Sequence, residues 1–541
     1  KSFDLTDPNG ELGCSGYANN AMISWTITSG STIYLEFEFF ELENCCIDSD
    51  SDFVEIYHGT DTSGTLIGRF TEFSPPPPIE STVNALHIVF TSDSEIFEVG
   101  FRGLWDNQPI DLPPDNTCQE SGGLNKMARD SIMAKVMPIK VAAREECNVY
   151  GNCTIERGIL ETTVCSGGMA GTFPCNNVDL LAHVSLSDLG CNGAEGNDLW
   201  GWTDPVTGSE IAIMGCTTGT SFVDVTVGSS PIVLGFLPTR TSSSLWRDMK
   251  VHNNHAYIVS EAGNHGVQVF DLTTLRDLDG SSIVTLTALT AYTGIGRTHN
   301  IAMDEIRGFA FAVGSTTCNG GLHIIDVNNP NEPVCAGCFF SDGYTHDAQC
   351  VTYDGPDTDY TNQEICFCFN EDTLTIVDVT NKANMNLIAR VEYDGNAYSH
   401  QGWATEDYKY LFLNDELDEA NGVTGGPSGS NTRTLIWDIQ DLDNPQWINS
   451  YFHDGVAIDH NLYVKGNLVY ETNYCDGLRI LEFDDTLPLP SLSEIAFFDV
   501  APECSQTTFN GAWSNYPFFD NNKIIVSSIE SGLFILQLNQ S

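Results

Sequence analysis

The sequence predicts an all-β chain: a small N-terminal β-sandwich followed by a seven-bladed β-propeller. Three observations predict it. A short apolar strand ending on an acidic or amide residue recurs seven times, as SFVDV, VQVFDL, LHIIDV, LTIVDV, LIWDI, RILEF and FILQL, at intervals of 44 to 60 residues. Each interval holds further short apolar runs, enough for four strands per unit. Residues 14–105, ahead of the repeats, alternate apolar and polar in strand fashion. A period near fifty with four short strands per repeat is the pattern of propeller blades.

The sandwich is read from MISWTI, IYLEFEFFEL, FVEIYHG, LIGRF, ALHIVFTSD and VGFRGLW, and is given residues 1–112. Pro113 and Pro114 then open a cysteine-rich connector, residues 113–176. It carries six of the chain's 22 basic residues: Lys126, Arg129, Lys135, Lys140, Arg144 and Arg157. Part of it reads as a helix that Pro138 interrupts. On so acidic a chain this basic stretch suits docking against an acidic face, of the same chain or another copy, or else a solvated linker.

The propeller is given residues 177–541. The marker residues of its repeats are Asp224, Asp271, Asp326, Asp378, Asp438, Glu482 and Gln537. Outer strands are read from IVLGFLP, IVTLTALT, VCAGCFF, LIARVEY, WINSYF and LSEIAFF. The seventh repeat has no room after it for an outer strand, and Val178–Leu186 resembles the missing piece. That segment is expected to close the ring and remove the open edges.

Composition narrows the function. Seventy-four acids against 22 Lys plus Arg give a net charge of −52. Such a surface repels nucleic acid and anionic membranes and suits saline or calcium-rich surroundings. Eighteen cysteines read as the disulfides of an exported protein. Cys165–Cys175 is one candidate pair, and Cys350 reads as packing or paired. The chain starts at Lys1 without a signal peptide, so it reads as a mature form, and no run of 18 apolar residues spans a membrane. Asn152 stands in a glycosylation sequon.

Aligning the repeats puts Asn197, Arg247, His299, His346, His400, His460 and Asn510 at one point of the fold, the entry of each innermost strand beside the axis. Four consecutive blades thus offer a histidine. Loops on the same face supply acids, among them Glu261 and Glu416, and the residues after the ring positions include Asp248 and Asp347. Imidazoles with carboxylates behind them suit a transition metal, Zn, Cu, Fe or Mn. The four histidines are then ligands, and Asp248, Asp347, Glu261 and Glu416 stand behind them. The competing reading is blade-to-blade hydrogen bonding. The acidic loop Asp415–Glu419 reads mainly as a solvated face, with calcium as the alternative. No GxSxG, HExxH or phosphate-loop motif occurs.

The run FFELENCC…SDFVEIYHG…LIGRF…ALHIVFTSD…VGFRGLW, residues 14–105, resembles the CUB domain. The resemblance implies a calcium ion on Glu41, Asp52 and Asp93, which match the family's calcium-binding branch. Thr71 and Glu72 stand where the family has a cysteine, which puts its second disulfide in question. Residues 165–541 resemble the LVIVD-repeat, choice-of-anchor B family through CSGGMAGTFPC, NDLWGW, WRDMKVHNNHAYIVSE, NHGVQVFDL, GYTHDAQC, YDGPDTDY, YSHQGW, NDELDE and IDHNLYVKG. That resemblance implies a propeller and an exported or surface location, and no chemistry. The expectation is therefore a secreted or surface recognition and assembly protein. It would contact extracellular protein, glycan or copies of itself in a calcium-dependent way. The alternative is a secreted metalloenzyme, oxidase or hydrolase, built on the axial histidines.

Overall fold

The computed structural model describes residues 2–4, 22–41, 53–70, 79–81, 83, 85–92, 100–107, 140, 162–504 and 506–539. The chain divides into two compact units, Lys1–Ala134 with Thr316–Asn319, and Lys135–Ser315 with Gly320–Ser541.

The N-terminal unit is a pair of four-stranded antiparallel sheets. One orders Ser2–Asp4, Gly100–Asp106, Ile33–Glu41 and Ile79–Ser81, and the other Met22–Thr28, Ala85–Thr91, Phe53–His58 and Thr65–Phe70. Alternate residues of these strands, such as Val54, Ile56, Leu86, Ile88 and Phe90, meet in one buried cluster with Ile33 and Leu35. Period-two alternation sends every second side chain to the same face, which is why this pattern folds as two facing sheets.

Among the described residues, the second unit holds seven sheets of at least four strands, antiparallel apart from one short parallel edge strand. Their innermost strands are Gly196–Thr203, Arg247–His252, Asn300–Asp304, Asp347–Thr352, Ser399–Ala404, Asn461–Lys465 and Ala512–Tyr516, which open blades 1 to 7. The recurring acid has a local cause. It ends the third strand by accepting a backbone N–H two residues on: Asp224 from Thr226 at 2.9 Å, Asp271 from Thr273 at 2.9 Å, Asp326 from Asn328 at 3.0 Å, Asp378 from Thr380 at 2.9 Å and Asp438 from Gln440 at 3.0 Å. The carboxylate turns the chain out of the strand and toward the outer edge.

The ring is closed. Val178–Val184 pairs antiparallel with Gly532–Leu538 as the outermost strand of blade 7, from Val178 opposite Leu538 to Val184 opposite Leu533. Each blade-to-blade interface has its own buried apolar cluster. The one between blades 7 and 1 joins Val184, Ile525 and Ile535 to Leu199, Ala212 and Val223. One between blades 4 and 5 joins Phe367 and Ile376 to Leu413 and Trp437.

One strand assignment differs from the sequence reading. IVTLTALT does not form the outer strand of blade 2 as a unit. Val284–Thr285 adds in parallel to the outer edge of blade 1, and Thr290–Tyr292 alone edges blade 2. The Leu286 amide donates to Phe236 O and the Leu289 amide to Val269 O, both at 2.8 Å. The short turn Leu272–Asp277, capped by Asp271, carries the chain across the edge of blade 1 first.

Disulfides join Cys165 to Cys175, Cys191 to Cys216, Cys350 to Cys366 and Cys475 to Cys504. The Cys350–Cys366 bond crosses between directly paired residues of adjacent strands. Cys368 is a free, buried thiol. No helix among the described residues is long and apolar enough to cross a membrane.

Candidate functional site on the propeller axis

Four histidines form a continuous arc. Ring centroids lie 4.4 Å apart for His299 and His346, 4.2 Å for His346 and His400, and 4.4 Å for His400 and His460. Each sits at or just before the start of an innermost strand, so the repeat itself stacks them. Three are tied to the next blade through Nδ1. His346 donates to His400 O at 2.8 Å, His400 to His460 O at 3.2 Å, and His460 to Trp513 O at 2.6 Å. A carbonyl oxygen can only accept, so Nδ1 carries the proton and Nε2 keeps its lone pair. Burial, with positive charge and fellow imidazoles nearby, holds His346 and His400 well below the ordinary histidine range and His460 at about 4. These rings are neutral at physiological pH.

The two sequence readings of the histidines are therefore compatible. Nδ1 serves the blade-to-blade bond, and Nε2 is left for something else. The Nε2 of His346 is buried and has no hydrogen-bond partner among the described residues. Those of His400 and His460 each lie 3.8 Å from a Glu416 oxygen, Oε2 and Oε1 respectively. Ligand atoms of His400, His460 and Glu416 fall within 4.8 Å of one another. The structure thus brings two of the four proposed ligands together with Glu416, which the sequence reading had placed behind them. His299 turns elsewhere, its Nδ1 facing the Glu261 carboxylate.

Glu416 is fully buried. Its Oε1 accepts from Lys140 Nζ at 2.5 Å and from the Tyr474 hydroxyl at 2.7 Å, and its Oε2 has no hydrogen bond among the described residues. An unsatisfied buried oxygen of this kind costs about 1–3 kcal/mol. Burial pushes the Glu416 carboxyl up, but the Lys140 ammonium and its hydrogen bond pull it below the usual range. Lys140 is itself buried and lies 5.2 Å from the Phe509 ring centre. The basic connector therefore docks one of its lysines against an acid of the same chain. Sequence reasoning names both Lys140 and Glu416 but does not pair them. Tyr398, whose ring centre is 5.1 Å from that of His346, adds a buried hydroxyl without a partner among the described residues.

Asp248 and Asp347 belong to a different layer. They follow the ring positions by one residue, and consecutive strand residues point to opposite faces. Asp248 Oδ1 accepts from Lys250 Nζ at 2.8 Å, and its Oδ2 from the Ile301 amide at 2.9 Å. Asp198 accepts from Asn461 at 3.3 Å. Burial and the neighbouring Asp248 push Asp198 up to about 7, and burial pushes Asp347 well above the usual range. Burial pulls Lys250 down, but Asp248, Asp198 and Asp347 outweigh it and raise the ammonium. Its Nζ also lies over the Trp200 ring at 4.6 Å. These two acids surround a lysine rather than stand behind the histidines.

The loop read as a solvated face is buried instead. Asp415, Asp418 and Glu419 pack inside with Asp459. Asp415 is fully engaged, by Tyr393, Ala397 N and Tyr398 N. Asp418 holds Arg433 Nε at 2.7 Å, yet burial and Asp415 keep it up at about 8. The CUB-type calcium ligands fall mostly outside the described residues. Asp52, Asp93 and the Glu41 side chain lie there, as does the sequon at Asn152. Near them, Phe53 pairs with Thr91 and Glu41 with Gly100.

Comparison with known proteins matches the CUB domain family to residues 3–103 and the LVIVD repeat to residues 316–339 and 366–392. The chain joins a CUB domain to an LVIVD-repeat propeller. Its CUB domain is similar to part of rat (Rattus norvegicus) cubilin, 39% identical over 92 residues, which are 16% of this chain and 2% of cubilin. A stretch of 183 residues is 32% identical to mouse (Mus musculus) Tolloid-like protein 2, covering 32% of this chain and 18% of that one. The chain thus spans a small part of the curated relatives it matches. The propeller is similar in fold to the Myceliophteria thermophila Cps50 (Swd1) β-propeller domain, with TM-score 0.41 and 8% identity over 64% of this chain and all of that one. A CUB domain on a chain with several disulfides points to an extracellular protein with a role in protein contacts.

Proposed function

We propose that this protein is a calcium-dependent extracellular recognition and assembly component. Its CUB domain and propeller faces contact protein or glycan partners, copies of itself included. The observation that carries this reading is the CUB match over residues 3–103 on a disulfide-bonded chain of net charge −52. Self-repulsion at that charge keeps copies apart until cations neutralise it, and hard carboxylate oxygens are the ligands calcium prefers. Glu41, Asp52 and Asp93 are the proposed calcium ligands.

The test is light scattering during gel filtration of the full chain, in chelator and in millimolar calcium, beside calorimetric calcium titration. Binding of calcium with growth in mass, both lost in Asp52→Asn/Asp93→Asn, is the expected result. A chain that binds no calcium and stays monomeric in both buffers overturns calcium-dependent assembly.

A further inference from the structure

We propose that His400, His460 and Glu416 form a binding site for a divalent transition-metal ion, and that Lys140 of the connector closes this site with its own ammonium. The proposal stands apart from the recognition reading and uses none of the CUB residues.

The three side chains bring ligand atoms within 4.8 Å of one another, and all three are buried. The imidazoles reach the site with their tautomer fixed. Nδ1 of His400 donates to His460 O, and Nδ1 of His460 donates to Trp513 O. This is how ligating histidines are commonly oriented, by a backbone carbonyl on the far nitrogen. Both Nε2 atoms are then lone-pair donors toward Glu416.

Two further observations point the same way. Glu416 Oε2 and the Nε2 of the adjacent His346 are both buried acceptors without a hydrogen-bond partner among the described residues. An acceptor surplus in a sealed place calls for a cation.

Lys140 supplies one. Its Nζ lies 2.5 Å from Glu416 Oε1, on a segment from outside the seven repeats. A single ammonium satisfies one oxygen and leaves the other acceptors open. A divalent ion would use both histidines and the carboxylate together. Two nitrogens and one carboxylate suit Zn, Co, Fe or Mn, whereas calcium takes all-oxygen sites. Ion and ammonium are like charges competing for the same carboxylate, so the two occupy the site alternately.

The test uses the full chain, freed of any affinity tag, in millimolar calcium so that hard-oxygen sites are filled. Cobalt(II) is the probe, read by its visible absorption and by elemental analysis after gel filtration. Lys140→Met is expected to bind about one cobalt per chain, at least about tenfold more tightly than wild type. Adding His400→Ala and His460→Ala is expected to weaken that binding by more than about a hundredfold. Near-ultraviolet circular dichroism and thermal unfolding check the fold. Lys140→Gln, which keeps a neutral donor for Glu416, replaces Lys140→Met if the latter does not fold. A folded Lys140 variant that binds no more cobalt than its histidine-free counterpart overturns the site. Equal binding by wild type and the Lys140 variants overturns the closure by Lys140.

Discussion

Two rings of polar residues line the propeller axis one residue apart in sequence, and they are built on opposite logic. The first holds His346, His400 and His460 with Glu416 and Lys140, and it leaves acceptors unused. The second gathers Asp198, Asp248 and Asp347 around Lys250, and there the charges answer one another. Both descend from the same repeated strand entry. The difference teaches that repetition explains why polar residues reach the axis, but not what they do there. An unspent acceptor marks the ring with capacity for a ligand, and a saturated one marks the ring that holds blades together.

The strongest way to break this contrast is to remove each lysine in turn. Lys250→Met strips the acid ring of the cation that neutralises it. Three buried carboxyls are then left to repel or to take up protons, and the expected loss is about 3–5 kcal/mol in urea unfolding. A loss under about 1 kcal/mol would mean that the second ring is not held by its charges.

The rings should also respond to pH in opposite senses. His460 sits at about 4 in the fold against an ordinary 6.5, so the unfolded chain takes up the proton first as pH falls. Its contribution is complete above pH 6.5 and lost toward pH 4, at most about 3 kcal/mol. It is faced by His400, Glu416, Lys140 and Tyr474. His460→Gln should therefore flatten the fall in stability across that window, relative to wild type. Asp198 runs the other way. It is raised from 3.8 to about 7, so the folded state holds its proton longer and stability is lost as pH rises through about 7. Asp198→Asn should gain on wild type between pH 4 and 8, by a few kcal/mol at most. Parallel responses of the two variants in pH-resolved urea unfolding would erase the distinction between the rings.

Much of this architecture was legible because repetition amplifies weak signals. Seven apolar strands ending on an acid or amide gave the blade count, and the aligned entries gave the histidine arc. What escaped has a common physical cause: it depends on how separate segments meet. Which imidazoles converge is decided by Glu416, in a loop after the second strand of blade 5, and by Glu261, which takes His299 away. Lys140 reaches the axis from a stretch with no repeat to align it. Adjacency in sequence puts Asp248 and Asp347 behind the histidines, but strand alternation sends them to the other layer. The acids of 415–419 looked solvated because charge predicts exposure, and tertiary packing overrode that rule.

The gentlest comparison is Lys140→Met as a stability variant in the absence of added metal. It removes a short charge-assisted hydrogen bond to Glu416, but the carboxylate keeps the Tyr474 hydroxyl. Protonation is also open to it, since burial already favours the neutral acid. The methionine can rest near Phe509, whose ring centre lies 5.2 Å from Lys140 Nζ. The expected cost is about 1–2 kcal/mol, clearly below that of Lys250→Met in the same urea series. If the two substitutions cost the same, Lys140 is a structural cation like Lys250. The first ring would then be as saturated as the second, with no place for an ion to compete. If Lys140→Met costs little and its thermal midpoint rises on adding cobalt while that of wild type does not, mass action identifies the vacated ammonium position as the ion's own.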